Sequence, residues 1–313
     1  MEKSIIRWIL TRSNNFQFGT IDSLAQWKRT MKERFAEWEF TIDRAIAFGF
    51  EADRVAYAFL AGFRAALQYL IPNLESQVFA SFCITEQGGN TPKAIKSTLK
   101  ALDESESRWL LNGKKTFITG ATEADQIFVA ASVGKDNDGR NLIKLVQLDS
   151  GLPGIDIQEM SPLPFIPEIS HGEVSFTDVE LRRESILPGD GYSEYVKPFR
   201  IVEEIHVTAA LLGYLARVGI EYKWDRTYLE EIVALIKLVR ALWQSDLLSS
   251  DTHVAYAGFA RLMQQFIEKT SPNWKTVPDV IRKGWERDQA ILGIAEKARK
   301  KRLENAWQAV SGL

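Results

Sequence analysis

The 313 residues are enough for two or three packed layers, and 45% apolar residues can give each layer a core. The 39 Lys and Arg residues nearly balance the 41 Asp and Glu residues, so the net charge of −2 gives no electrostatic footprint for nucleic acid or an anionic membrane. Cys83, the only cysteine, excludes an intramolecular disulfide and a cysteine-based metal site. No window approaches the ~20 apolar residues of a membrane span, and we expect a cytoplasmic protein.

Helical periodicity dominates residues 1–76, which we assign to an N-terminal helical domain. Apolar residues recur every three or four positions from Ile21 to Gly49 and predict one amphipathic helix. The set comprises Leu24, Trp27, Met31, Phe35, Trp38, Ile42, Ala45 and Ile46. A second helical pattern runs from Val55 to Leu70, ahead of Pro72.

Short runs rich in β-branched and aromatic residues characterise residues 77–188, separated by turn signals such as Asn112-Gly113. The runs are Gln77–Thr85, Arg108–Thr119, Gln126–Val133, Leu142–Leu148 and Glu173–Phe176. Their spacing predicts a central β barrel or sandwich of ~100 residues. We expect antiparallel pairing, because the links are too short for helical crossovers.

Helical periodicity returns in residues 189–313. The predicted helices are Pro198–Trp224, Tyr228–Leu247, Asp251–Ser271 and Pro278–Val310. They form a C-terminal four-helix bundle. The sequence therefore predicts an α+β fold with N-terminal helices, a central β domain and a helical bundle.

The strongest local signal is the segment Phe82–Pro92, FCITEQGGNTP, at the end of the first predicted strand. Its Gly-Gly-Asn loop exposes backbone N–H groups, and the Thr85 hydroxyl both donates and accepts. Such a rim suits a flat heterocycle or a phosphate, although a β-turn without a ligand has the same composition.

A second signal is the segment Leu111–Ala121, LNGKKTFITGA, followed by Ala124-Asp125. Alone it predicts a hairpin turn and a strand that ends in glycine. In order, Thr-Glu-x-Gly, Leu-Asn-Gly-Lys, Phe-Ile-Thr-Gly-Ala and Ala-Asp resemble the acyl-CoA dehydrogenase family. The resemblance runs from about Ala56 to Arg302 and is strongest between Phe82 and Gly213.

The resemblance implies a homodimeric or homotetrameric flavoprotein that holds FAD between the β domain and the rear bundle. Family members remove the α-proton of an acyl-CoA thioester with a glutamate while the β-hydride passes to flavin N5. The electrons then go to an electron-transfer flavoprotein or a similar acceptor. The flavin contacts it implies here are Phe82, Ile84, Thr85, Phe117, in place of the usual tryptophan, and Thr119. Thr91 stands where a serine touches cofactor or thioester phosphate.

Two glutamates match positions at which family members carry the catalytic base. Glu203 lies on the first bundle helix, where its apolar neighbours can raise its pKa toward neutrality. Glu296, the runner-up, matches the commoner position, but Lys297-Ala298 replace the family's Gly-Thr and predict a continuous, solvent-exposed helix. The alternative for Glu203 and its neighbour Glu204 is a pair of ordinary surface glutamates.

Glu204 and His206 are candidate substrate contacts because they lie close to Glu203 on the same predicted helix, and Thr91 is a third. A packed histidine is the alternative for His206. The histidines show no i, i+4 pairing, so no metal site is predicted. The basic stretch Lys297–Arg302 is expected to be a solvated helix face rather than a contact for CoA phosphates.

Some family segments have no clear counterpart in this chain. The Arg-x-Thr-Phe-Gly segment that grips the FAD diphosphate is matched only in part, by Arg226-Thr227-Tyr228. The Gln-Leu-x-Gly-Gly segment is missing, and Gln87 replaces a proline. Besides the dehydrogenase, two alternatives therefore stand: a non-catalytic flavin- or acyl-CoA-binding member, and a flavin-dependent monooxygenase of the same fold.

Overall fold

The N-terminal pattern forms helices in the computed structural model, which describes residues 4–12, 19–34 and 37–312. Their bounds are α1 Ile5–Arg12, α2 Leu24–Arg34, α3 Thr41–Glu51 and α4 Val55–Leu70. The amphipathic α2 buries Trp27 and Met31, whereas α3 and α4 are buried over most of their length. These two helices therefore form the core of the N-terminal segment.

The single helix predicted from Ile21 to Gly49 is wrong, because α2 ends at Arg34 and α3 begins at Thr41. Phe40 precedes α3 in an extended conformation, with φ −86° and ψ 135°, so the helical path is interrupted there. The spacing of apolar residues does not reveal such a break, because both helices keep compatible periods. Phe35, part of the predicted pattern, lies outside the described residues.

Glycines permit a close approach between these helices and the long helix α5 (Lys197–Glu221). A Cβ atom on Gly49 would lie 2.7 Å from Ala210 Cα, and one on Gly62 would lie 2.5 Å from Val207 Cα. No side chain fits at either position, so the backbones of α3 and α4 contact that of α5.

The central segment forms a mixed β-sheet. Its strands are β1 Ala80–Cys83, β2 Thr98–Ala101, β3 Arg108–Thr119, β4 Gln126–Lys135, β5 Asn141–Asp149, β6 Ile155–Glu159 and β7 His171–Arg182. The order is β1-β4-β2-β3-β7-β6, with β5 paired to β4. The pairs β2–β3, β3–β7, β4–β5 and β6–β7 are antiparallel, as predicted.

Two pairings correct the prediction of a purely antiparallel domain. β1 runs parallel to β4, with Ala80 opposite Gln126, and β2 also pairs in parallel with β4 through Thr98 and Ser132. The links between consecutive strands are too short for a parallel crossover. β1 and β4 are not consecutive, and the β2–β3 hairpin supplies the long connection that a parallel pair needs.

Beyond α5, the C-terminal helices are α6 Arg226–Trp243, α7 Ser250–Thr270, α8 Asp279–Asp288 and α9 Glu296–Ser311. The helix predicted from Pro278 to Val310 is wrong as one element, because the 3₁₀ turn Gln289–Gly293 separates α8 from α9. At the end of α8 the buried Asp288 carboxylate accepts the backbone N–H of Ile166 at 2.7 Å. This tertiary contact fixes the end of the helix, and no periodicity reports it.

The predicted α+β fold class, with helices on both sides of a central β segment in the chain, is confirmed. The chain divides into two compact units. Met1–Gln77, Pro164–Ile166 and Ile201–Leu313 form one unit, and Val78–Leu163 with Pro167–Arg200 forms the other. The boundaries 1–76, 77–188 and 189–313 stay a prediction. Among the described helices, none combines the length and apolarity needed to cross a membrane.

Candidate active site

The end of β1 supplies the first group of predicted cofactor contacts. Phe82 and Ile84 are buried, and the Phe82 ring packs edge-to-face on Phe199 with centroids 4.6 Å apart. Thr85 is half-buried, and its carbonyl accepts the backbone N–H of Thr116 at 2.9 Å. Any contact of Phe82 with a ligand therefore falls to its backbone, whereas Thr85 presents a partly exposed hydroxyl.

The end of β3 supplies the second group. The register between β3 and β7 shifts between Lys115 and Ile118, and Phe117 in this bulge has φ +56°. A left-handed backbone is strained for a bulky residue, and the Phe117 side chain is nevertheless 55% exposed. An exposed aromatic ring on a strained backbone is typical of a ligand-contacting position rather than of core packing.

Thr119, two residues further, is half-buried, and its hydroxyl lies 3.5 Å from the buried His171 Nε2. Burial lowers the pKa of His171, which is not one of the predicted site residues. Gly120 follows with φ +64°, and a Cβ there would lie 2.7 Å from the Phe79 ring, so glycine is required. Within this unit, the Phe117 ring and the hydroxyls of Thr85 and Thr119 lie at the ends of β1 and β3. This donor set fits a flat heterocycle with polar edges.

The loop after β1 holds Thr91, the predicted phosphate contact. Thr91 is exposed and precedes the 3₁₀ turn Pro92–Ala94, where its carbonyl accepts the backbone N–H of Ala94 at 2.9 Å. The neighbouring Asn90 accepts from Arg200, whose Nη2 lies 2.9 Å from Asn90 Oδ1. The Thr91 side chain thus lies on the surface, next to the hydrogen bond that anchors Asn90 of the same loop to Arg200.

In the helical unit, Glu203 and Glu204 differ sharply although they are adjacent on α5. Glu204 is ion-paired to Arg299, at 3.0 Å, and to Arg302. Glu203 is half-buried and has no hydrogen bond or ion pair within the described part of the chain. Burial, and then the charge of Glu204, raises the pKa of Glu203 to about 7. Glu203 is therefore poised to exchange a proton near neutral pH.

The partners of Glu204 correct the expectation for the basic stretch Lys297–Arg302. Arg299 and Arg302 are turned inward, with side chains 21% and 18% exposed, so this helix face is not simply solvated. Burial raises the pKa of Glu204 against the effect of both arginines. Two cations occupy this carboxylate, which favours a structural role over the predicted substrate contact.

His206 is fully buried, and both of its ring nitrogens are engaged. Nδ1 lies 2.7 Å from the Val202 carbonyl oxygen, to which it donates, so Nε2 accepts from Thr41 Oγ1 at 2.9 Å. Burial lowers the pKa of His206 to about 4, and the ring stays neutral. This arrangement favours the packed histidine over a substrate contact.

Glu296, the runner-up base, is the first residue of α9, exposed and ion-paired to Lys300 at 2.9 Å. A hydrogen bond to Lys300 and its charge lower the pKa of Glu296. The predicted exposure is confirmed, but the predicted continuous helix is wrong, because α9 begins here after the turn that includes Gly293. A lowered pKa on an exposed carboxylate does not suit a base at neutral pH.

The buried ion pair between Lys115 and Glu86, at 2.7 Å, was not predicted from the sequence. The sequence signal was the position of Lys115 on the buried side of the strand alternation in β3, since its neighbour Lys114 already occupies the exposed side. No group of three or more His, Cys, Asp or Glu side chains within the described ranges is arranged to hold a metal ion.

Residues 81–179 match the family model of the acyl-CoA dehydrogenase middle domain. The chain is 34% identical over 145 residues to glutaryl-CoA dehydrogenase of Desulfococcus multivorans, a match that covers 44% of this chain and 35% of that protein. The matched part thus spans about a third of that relative's length.

The fold is shared over nearly the whole chain. Butyryl-CoA dehydrogenase from Megasphaera elsdenii has a TM-score of 0.67 at 16% identity, covering 98% of this chain and 99% of that one. The apo form of PigA has a TM-score of 0.72 at 16% identity, covering 98% and 96%. The likeness at this identity concerns the fold, and the middle-domain match supplies the sequence relationship. The predicted family is confirmed for the matched segment: residues 81–179 belong to the acyl-CoA dehydrogenase middle-domain family.

Proposed function

We propose that this protein is an FAD-dependent acyl-CoA dehydrogenase in which Glu203 is the catalytic base. The observation that carries the proposal is the state of Glu203, a half-buried carboxylate without a polar partner in the described residues and with a pKa of about 7. At neutral pH such a group is about half ionised, and a pKa near the operating pH is the one at which general-base catalysis is most effective.

The strand ends of β1 and β3 are the proposed flavin contacts. The exposed Phe117 ring offers an apolar face, and the hydroxyls of Thr85 and Thr119 offer polar contacts at the ring edge. Ile84 and Phe82 would contribute backbone groups. Bound FAD would supply the hydride acceptor for the substrate β-carbon.

Glu203 would take the α-proton of the acyl-CoA thioester on its carboxylate. Glu204 would remain paired with Arg299 and Arg302, so its negative charge stays next to Glu203 and helps to hold the pKa of the base up. Glu203 would thus exchange the proton, and Glu204 would raise the pKa of Glu203.

The test is reconstitution of the purified protein with FAD, followed by anaerobic addition of a panel of acyl-CoAs. We expect bleaching of the flavin absorbance by at least one thioester. Glu203→Gln should keep FAD and lose the bleaching, whereas Glu296→Gln, a matched carboxylate change on the exposed start of α9, should leave it intact.

Other outcomes separate the alternatives. Thioester binding by a protein that cannot take up FAD would favour the non-catalytic member. FAD that reacts with oxygen after reduction by a partner enzyme, regardless of Glu203, would favour the monooxygenase. Loss of bleaching in Glu296→Gln with retention in Glu203→Gln would reassign the base.

The remaining parts of the proposal follow the family. An acyl-CoA thioester would be the substrate, an electron-transfer flavoprotein or similar protein would accept the electrons, and the protein would assemble as a homodimer or homotetramer in the cytoplasm. Stopped-flow reoxidation by an electron-transfer flavoprotein and light scattering of the holoprotein test the acceptor and the assembly.

A further inference from the structure

Lys115 is a charged residue with no access to solvent, in the middle of the β-sheet unit. Its ammonium group donates to Glu86 Oε1 at 2.7 Å, to the Ala130 carbonyl at 2.6 Å and to the Ile84 carbonyl at 3.3 Å. An ammonium group has three donors, and all three are used. Burial lowers the pKa of Lys115, and the charge and hydrogen bond of Glu86 oppose this shift.

Glu86 is equally well satisfied. One oxygen accepts the backbone N–H of Lys96 at 2.8 Å, and the other accepts the backbone N–H and hydroxyl of Ser97 at 3.0 and 2.9 Å. Its own backbone exchanges two hydrogen bonds with Gly89 across the turn that follows β1. Despite the cost of burial, Lys115 and these donors hold the pKa of Glu86 below its usual range.

The pair joins the two segments that carry the proposed flavin contacts. The Ile84 carbonyl, bound by Lys115, immediately precedes Thr85. Lys115 itself lies directly before the bulge that turns Phe117 outward, and Thr116 in that bulge donates to the Thr85 carbonyl at 2.9 Å. One buried ammonium group thus anchors the end of β1 and the bulge of β3 to each other and, through Ala130, to β4.

We propose that Lys115 and Glu86 are positioning residues for the flavin, holding Thr85 and Phe117 in the geometry that binds it; this rests on the proposed flavin contacts. The strand core alone does not require the pair, because apolar residues of similar volume stabilise a protein core as well as a buried ion pair does. A fully satisfied charge network has the further effect of fixing one backbone geometry.

The experiment compares Lys115→Met with Lys114→Met, a neighbouring exposed lysine that pairs with Glu173 on the sheet surface. FAD affinity is measured by titration of the apoprotein with fluorescence detection, and melting temperatures of the same apoproteins are recorded. We expect about a tenfold or greater loss of FAD affinity in Lys115→Met and little change in Lys114→Met.

The double variant Glu86→Gln/Lys115→Met separates positioning from stability. Removing both charges should restore much of the melting temperature lost in Lys115→Met. If the pair positions the flavin contacts, FAD affinity should stay weak in the double variant. The absorption spectrum of its bound flavin should also differ from that of the wild type. If FAD affinity instead recovers in step with the melting temperature, the role is merely structural and the inference is overturned.

Glu86→Gln alone keeps the test decisive should Lys115→Met fail to fold, because it leaves the ammonium two carbonyl acceptors. Weakened FAD binding at unchanged secondary structure supports the inference, and unchanged affinity contradicts it. Tight FAD binding by the wild type and by all variants would overturn the inference alone. Absence of FAD binding in the wild type would overturn both it and the proposed function.

Discussion

Arg302 of α9 is ion-paired to Glu204 of α5, across 98 residues of sequence. Arg299, one turn earlier on α9, binds the same carboxylate at 3.0 Å. Glu203, the residue before Glu204 on α5, has no ion-pair partner among the residues that the structure describes. The C-terminal helix therefore distinguishes two glutamates that are equivalent in sequence terms.

Replacing Arg302 with Gln should move the acidic limb of the pH–rate profile to higher pH. Arg299 still pairs with Glu204 in this variant, and a Glu204 charge that is less compensated raises the pKa of Glu203 further, so a higher pH is needed to ionise Glu203. The measurement is the pH dependence of flavin reduction by an acyl-CoA in single-turnover experiments. Lys301→Gln, an exposed neighbour on α9, is the control. An unshifted profile in Arg302→Gln would show that the ion pair does not affect the pKa of Glu203.

Glu203→Gln should stabilise the protein at alkaline pH. The pKa of Glu203 is about 7 in the folded state against an ordinary value of 4.5, so folding opposes its ionisation. This cost is small below pH 4.5 and is complete above about pH 7. We expect a gain of about 3 kcal/mol in unfolding free energy at pH 8 and less than about 1 kcal/mol at pH 5. Urea unfolding at both pH values measures it, and equal gains would contradict the raised pKa of Glu203.

The same variant should become more sensitive to acid. The pKa of His206 is about 4 in the folded state against 6.5, so the unfolded chain binds the extra proton and stability falls as pH drops from 6.5 toward 4. In the wild type Glu203 has the opposite slope over this range. Glu203→Gln alone should therefore lose about 2 kcal/mol between pH 7 and pH 5. A pH-independent variant would show that His206 becomes protonated without cost.

Gly49→Ala should be strongly destabilising, and Gly284→Ala should not. A Cβ at Gly49 meets the backbone of Ala210 on α5, whereas a Cβ at Gly284 in α8 has no atom within 4 Å. We expect a loss of about 1–3 kcal/mol or more from overpacking in the first variant. The second should gain roughly 0.5–1 kcal/mol from helix propensity. Thermal unfolding of both distinguishes close packing from a general effect of alanine.

Phe117→Asn should stabilise the apoprotein and weaken FAD binding. Asparagine tolerates the left-handed backbone at φ +56° better than phenylalanine does. The free energy of unfolding of the apoprotein should therefore rise by about 1 kcal/mol. The loss of the exposed ring removes the proposed apolar contact to the flavin. Melting temperature and FAD titration are measured on the same preparation. Simultaneous gains in both would show that the strain at Phe117 serves no ligand.

The sequence alone determined the succession of helices, strands and helices, because periods of 3.6 and 2 are local properties of the chain. It also determined the strand-end motifs around Thr85 and Thr119, which depend on short segments in a fixed order. It did not determine the break at Phe40 or the turn Gln289–Gly293, because apolar residues continue on a helical period through both.

Tertiary structure decided which of the two carboxylates lacks a polar partner among the described residues and has its pKa raised to about 7. Glu203 and Glu204 have nearly the same local sequence, and their difference comes from Arg299 and Arg302, which approach from a distant helix. Desolvation and ion pairing depend on what surrounds a group in space, and the position of a residue in the chain does not specify that. The same reason explains why the partner of Lys115 is found only in the folded sheet.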